Sequence, residues 1–242
     1  MNLMNKTVLI TGANRGIGRA LVTEALQRGA LRVYAGTRGG PLAADDRVTS
    51  LHLDVTDDAQ IATAAKEVGS LDVLINNAGI VLYDDVSNIE SIEKQLAVNL
   101  FGLLKVTLAF WPHLTRSHGA IINNLSVVGL AAIPVGPGYS LSKAAAISIT
   151  QSLRGLLSGQ GVSVHGVFLG PIDTEMTREF DIPKATTESA ARGIFDGLER
   201  NEEDIFPDPV SQSIAEGWRA GVAKALEKQF SSFVPNSATV AE

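Results

Sequence analysis

The chain of 242 residues contains no cysteine, and only 5% of it is aromatic. Without thiols, a disulfide framework and thiol catalysis are both excluded. Positive charge is also in short supply: 20 Lys+Arg stand against 26 Asp+Glu, a net charge of −6, which argues against nucleic acid or an anionic membrane as partner. No apolar run reads as long enough to span a bilayer. The first apolar run starts by residue 7 with no cleavable signal pattern, so a cytoplasmic location is the expectation. No set of His, Asp and Glu shows ligand spacing, and no metal is expected. What remains, 45% hydrophobic and 19% charged, is the composition of a globular chain able to bury a substantial core.

Short runs rich in Val, Ile and Leu alternate with longer amphipathic segments, the pattern of an α/β protein with a doubly wound parallel sheet covered on both faces. Strands are expected near 6–11, 31–37, 48–53, 71–75, 119–125, 162–168 and 203–206. Helices are expected near 16–28, 57–67, 89–99, 101–116, 138–158, 186–200 and 209–229. No linker interrupts the alternation, so residues 1–230 read as a single domain and 231–242 as a flexible tail. Residues 174–187, TEMTREFDIPKATT, follow a strand directly and read as a lid carrying Met176, Phe180 and Ile182. In the last helix, Ile214, Trp218, Val222, Ala225 and Phe230 fall on one stripe, expected to pack on the domain.

Ligands of doubly wound sheets bind beyond the carboxyl ends of the strands. After the first strand comes TGANRGIG, Thr11 to Gly18. Three glycines at a strand-to-helix junction exceed what a turn needs; bare backbone and free N–H groups opening a helix make a site for phosphate oxygens. After the second strand, where an acid would serve the ribose of NAD, stands Arg38, and Arg15 lies in the glycine loop. Two guanidinium groups suit the 2′-phosphate of NADP. After the third, Asp54 either accepts from the adenine amino group, with Val55 packing on the ring, or caps the next helix, as Thr56 also could; both readings stand. Asn76, Asn77, Ala78 and Gly79 follow the fourth. Tyr139 and Lys143, four apart in YSLSK, share a helix face that Ser126 can meet, a set able to move a proton to or from a substrate oxygen.

Taken in order, TGANRGIG, LDVT (Leu53 to Thr56), NNAG (Asn76 to Gly79), the Asn of VNLFG (Asn99), the Ser of NLSVVG (Ser126), YSLSK and GPIDTEM (Gly170 to Met176) resemble the short-chain dehydrogenase/reductase family over residues 5 to about 176. The resemblance implies a Rossmann-type fold and a catalytic tetrad of Asn99, Ser126, Tyr139 and Lys143. Ser126 would hold the substrate oxygen, Tyr139 exchange its proton, Lys143 lower the tyrosine pKa and bind the nicotinamide ribose, and Asn99 fix a relaying water. It implies a cofactor cleft built from Gly12, Asn14, Arg15, Gly16, Ile17, Gly18, Arg38, Asp54, Val55, Asn77, Ala78, Gly79, Tyr139, Lys143, Pro171, Ile172 and Thr174. The backbone at Ile172 and the hydroxyl of Thr174 would take the nicotinamide carboxamide.

Two residues depart from the family pattern. Leu125 replaces a small residue and is expected to reshape the substrate pocket; Leu169 replaces a proline and is expected to loosen the nicotinamide loop. The C-terminal helix would block the family's tetramer contact and leave the helices near 101–116 and 138–158 free, so a homodimer is expected, with a tetramer as the alternative. The expected activity is NADP(H)-dependent interconversion of a ketone or aldehyde and its alcohol, a carbonyl reductase (ketoreductase) working toward the alcohol on a small apolar substrate. Val127, Val128, Val135, Pro137 and the lid supply the expected pocket. The rival readings are an NADPH-binding sensor without turnover and a reductase of an imine or activated alkene.

Overall fold

The computed structural model describes residues 1–39, 44–83 and 85–233. Among them, seven parallel strands form one sheet: β1 (Thr7–Thr11), β2 (Arg32–Thr37), β3 (Val48–His52), β4 (Val73–Asn76), β5 (Ala120–Asn124), β6 (Ser163–Val167) and β7 (Asp204–Ile205). Their spatial order is β3-β2-β1-β4-β5-β6-β7. The chain winds outward from β1 to one edge, returns to β4 beside β1, and winds outward to the other. The crevice beyond the carboxyl ends of β1 and β4 is therefore the switch point at which such sheets take ligands.

Alternation along the strands builds a core on each face. Val8 and Ile10 of β1, with Val73 and Ile75 of β4, lie under α1 (Gly16–Gln27) and α6 (Thr187–Glu199). Leu9 and Leu74 point the other way, under α2 (Asp58–Glu67), α4 (Leu103–Ser117) and α5 (Pro137–Ser158). The cap of α2 is Asp57, which accepts from Ala59 N and Gln60 N at 2.9 and 3.1 Å, so the capping alternative for Asp54 and Thr56 falls away. Between α2 and α4 in the chain, α3 (Ile89–Leu96) continues through a π-helical turn, Ala97–Gly102, into α4. Contrary to the sequence reading, this continuous helix, Ile89–Ser117, is by length and hydropathy apolar enough to cross a membrane. In the fold it lies against the sheet and carries buried Asn99 at its π turn.

The C-terminal region corrects the sequence reading twice. The expected single helix is two, α7 (Pro209–Arg219) and α8 (Val222–Phe230), because Gly221 leaves the helical region (φ −77°, ψ 160°). The apolar stripe does not pack inward as a whole. Trp218 does, with its ring 5.3 Å from Phe168, but Val222 and Phe230 face outward at 76% and 57% exposure, and Ile214 and Ala225 are also exposed. The inward face of α8 is ionic instead: Lys224 Nζ lies 2.8 Å from both Glu203 and Asp204 and 3.0 Å from Glu227. Arg154 of α5 reaches Asp204 at 2.9 Å and also pairs with Glu227. Burial pushes the Asp204 carboxyl upward, but Arg154, Lys224 and the Trp218 N–H outweigh it and hold it below the ordinary carboxylate value. Of the expected tail, residues 234–242 lie outside the described residues.

Candidate active site

The first turn of α1 carries no side-chain cap and no acid, so the N–H groups at Gly16, Ile17 and Gly18 open toward the cleft unneutralised. Gly12 and Gly16 sit at φ 65° and 51°, where an L side chain is strained. A Cβ on Gly18 would stand 2.1 Å from the Gly12 carbonyl oxygen, so the third glycine lets the helix pack on the loop itself. Thr11 and Asn77 brace the cradle from below. Thr11 Oγ1 accepts from the N–H of Asn77 and of Ala78, both at 3.0 Å, and Asn77 Nδ2 donates to the carbonyls of Thr11 and Gly12 at 2.8 and 3.1 Å. Asn14 Nδ2 donates to Gly39 O at 2.7 Å and ties the loop to the chain beyond β2.

At the adenosine end, Arg38 lies 3.8 Å from Asp54, both at the rim. Asp54 Oδ1 accepts from the Thr56 backbone and hydroxyl, which closes the turn after β3. Val55 is buried against Gly102, so little of its side chain is left to pack on an adenine ring. Arg15 pairs with Glu175 across the cleft.

The four tetrad residues converge. Lys143 Nζ stands 5.7 Å from the centroid of the Tyr139 ring and donates to Asn124 O at 2.8 Å. Ser126 lies beside the Tyr139 hydroxyl and favours its ionised form, and Ser126 Oγ donates to Leu169 O at 3.2 Å. Asn99 Oδ1 accepts from Ile80 N at 2.9 Å, while its Nδ2 donates to Ile80 O and Ser142 Oγ, also at 2.9 Å. The π turn presents Asn99 beside Gly79, where a Cβ would meet Asn99 Oδ1 at 3.3 Å and Lys143 Nζ at 3.9 Å.

Desolvation dominates the electrostatics of the Tyr139–Lys143 pair. Burial pushes Tyr139 up to about 12, against the downward pull of Ser126. Burial also pushes Lys143 down to about 8. For Lys143 the cause is lost hydration of the ammonium, which no carboxylate among the described residues is found to offset.

Beyond β6 the chain makes an excursion closed at its base: Asp173 N donates to Ala185 O at 2.9 Å and Ala185 N to Pro171 O at 3.0 Å. Thr174 and Thr177 hydroxyls both donate to the Ile172 carbonyl, which shapes a single turn at Glu175–Thr177. Of the lid residues, Met176 and Ile182 are exposed and Phe180 is half-buried. Leu125 is 2% exposed and packs at Gly166, away from the pocket it was expected to reshape. Nor is the loop left slack at Leu169. Gly170 N donates to buried Asp208 at 2.8 Å, and the same carboxylate caps α7 through Val210 N and Ser211 N. Asp208 escaped the sequence reading, although Asp208-Pro209 is itself a helix-start signal.

A phosphate cradle at the switch point beside buried Ser126 and Lys143 and half-buried Tyr139 defines the class, an NAD(P)-dependent oxidoreductase. Residues 6–184 match the short chain dehydrogenase family. The 2-(R)-hydroxypropyl-CoM dehydrogenase of Xanthobacter autotrophicus is 34% identical over 78% of this chain and 84% of its own. The 3-oxoacyl-[acyl-carrier-protein] reductase of Vibrio harveyi is 34% identical over 74% and 78%. A short chain dehydrogenase from Burkholderia cenocepacia J2315, solved in complex with NADP, superposes with a TM-score of 0.86 at 35% identity, covering 97% of this chain and 100% of its own. This chain belongs to the short-chain dehydrogenase/reductase family.

Proposed function

We propose that the protein is an NADP(H)-dependent reductase that converts an apolar ketone or aldehyde to its alcohol. The observation that carries this reading is the convergence of Ser126, Tyr139 and Lys143 at the carboxyl end of β5, with Asn99 beside them. The residues present fit the dinucleotide: the bare first turn of α1 and the glycines at positive φ suit its diphosphate, and Arg15 and Arg38 at the rim suit a 2′-phosphate. NADP in the Burkholderia neighbour supports the same choice.

When bound, NADPH supplies the hydride. Ser126 holds the carbonyl oxygen, and Tyr139, kept protonated by burial, delivers its hydroxyl proton to that oxygen as charge develops there. Lys143, whose pKa burial lowers to about 8, would be driven to its charged form by a bound dinucleotide's negative charge, and so would hold the ribose and stabilise the phenolate left behind. Asn99, anchored at Ile80 and Ser142, holds a relaying water for reprotonation. Phe101 of the π turn, Leu108 of α4 and Leu141 of α5, each about half exposed, support a homodimer through that helical layer. The test is NADPH consumption with a panel of ketones, aldehydes, imines and enones. Turnover of carbonyl compounds supports the reading; turnover confined to imines or enones, or cofactor binding without turnover, overturns it.

A further inference from the structure

Tyr83 and Phe180 meet across the mouth of this site from two segments that share no regular structure. Tyr83 lies in the segment after β4, and Phe180 on the excursion after β6. Their rings pack edge to face with centroids 5.4 Å apart and planes at 72°. Tyr83 Oη also donates to the Met176 carbonyl at 3.0 Å. Tyr83 borders the proton donor as well: a Cβ on Gly136 would lie 3.9 Å from both Tyr83 Cδ1 and Tyr139 Cβ. Yet Tyr83 is 48% exposed, and among the described residues the span is tied by this ring contact and this hydrogen bond. Such a contact opens far more readily than the sheet behind it.

The charges around this span lean to the negative. The described residues of segments 80–88 and 174–184 carry the acids Asp85, Glu175, Glu179 and Asp181 against the bases Arg178 and Lys184, and Arg15 pairs with Glu175 from the glycine loop, which leaves an excess of one negative charge. Arg178 is itself 3.5 Å from Glu175. An anionic substrate would meet repulsion here, whereas an uncharged one would meet two aromatic rings.

We infer that Tyr83 is a specificity-determining residue: by clasping Phe180 and Met176 over Tyr139 it limits the bulk of the uncharged apolar or aromatic carbonyl compound admitted. This rests on the carbonyl-reductase reading. A small ketone passes under the closed clasp, and a bulky aryl ketone has to part the two rings. Loss of the ring by Tyr83→Ala therefore raises kcat/KM for an acetonaphthone relative to 2-butanone by about tenfold or more, the scale on which a pocket discriminates apolar bulk. Tyr83→Phe keeps the ring contact and holds the ratio within about twofold of the parent. Phe180→Ala reproduces the Tyr83→Ala effect, and the double variant adds little, because both act through one contact. The second readout is amide hydrogen exchange over residues 174–183, which Tyr83→Ala accelerates by about tenfold or more while leaving β1 and β4 unchanged. A selectivity ratio unmoved by Tyr83→Ala overturns the specificity role, and unaltered exchange overturns the clasp. If the parent protein reduces no carbonyl compound, the catalytic reading fails while the exchange experiment still decides the clasp.

Discussion

The cofactor cleft and the C-terminal helix pair are built on opposite physics. In the cleft, glycines and amides bring backbone close to backbone, the first turn of α1 keeps its N–H donors free of any side-chain cap, and Arg15 and Arg38 are held only by ion pairs at the solvent-exposed rim, to Glu175 and Asp54. At the C-terminus, charge is spent internally, with buried Asp204 and Lys224 paired to half-buried Arg154 and Glu227 while Val222 and Phe230 face water. The difference teaches where to look for function: open polar groups mark a place for a ligand, and closed ionic networks mark a joint. One residue belongs to both regions. Asp208 caps α7 and holds the Gly170 amide, so the joint supports the loop that borders the cleft.

The largest effect expected is on the cleft side alone. Tyr139→Phe should lower kcat/KM for ketone reduction by about a thousandfold, within the range of a lost general acid, with NADPH affinity unchanged in a fluorescence titration. Near-normal turnover by this variant would remove Tyr139 from the chemistry.

Next comes the joint. Asp204→Ala leaves buried Lys224 and half-buried Arg154 without their central partner, and should cost about 3–5 kcal/mol in denaturant unfolding, with NADPH affinity of the folded fraction little changed. The cluster is also pH-limited. Asp204 is held below its ordinary value of 3.8, so its contribution is present above that value and lost as pH falls through the depressed one. Lys224 is raised above 10.5, the acids outweighing burial and Arg154, so its contribution is complete below 10.5 and lost as pH rises through the elevated value. Exchange protection of α8 should therefore fail at both extremes before that of β1 and β4. Uniform loss across the chain would erase the distinction between the regions.

Arg38→Ala should weaken NADPH by about 1.5–3 kcal/mol, roughly ten- to a hundredfold, and NADH far less. Equal affinity of the parent protein for both cofactors would sink the 2′-phosphate assignment.

The smallest effect is a linkage at Lys143. A dinucleotide bound beside it should raise its pKa from about 8, so binding should take up a proton above that pH and NADPH affinity should fall by at most about tenfold per pH unit. Calorimetry in buffers of different ionisation heat measures the uptake; none at pH 9 would show that Lys143 does not sense the ligand.

Legibility followed the range of the interactions involved. The strands and the glycine loop were readable because their determinants are neighbours in the chain: alternation put Val8 and Ile10 on one face and Leu9 on the other. Tyr139 and Lys143 were readable as a shared helix face that Ser126 can meet, and the resemblance supplied Asn99. Illegible were Leu125, turned into the core at Gly166, and Tyr83, whose role depends on a segment almost a hundred residues later.

By itself, then, the order of residues determined the doubly wound sheet, the phosphate cradle after β1 and the Tyr139–Lys143 spacing, since each follows from backbone sterics and side-chain period over a few neighbouring residues. Tertiary structure alone decided that α8 turns its ions inward, that Asp208 holds Gly170, and that Tyr139 rises toward 12 while Lys143 falls toward 8. Desolvation and the choice of ionic partner depend on which distant groups are brought close, and no local pattern in the sequence encodes that distance.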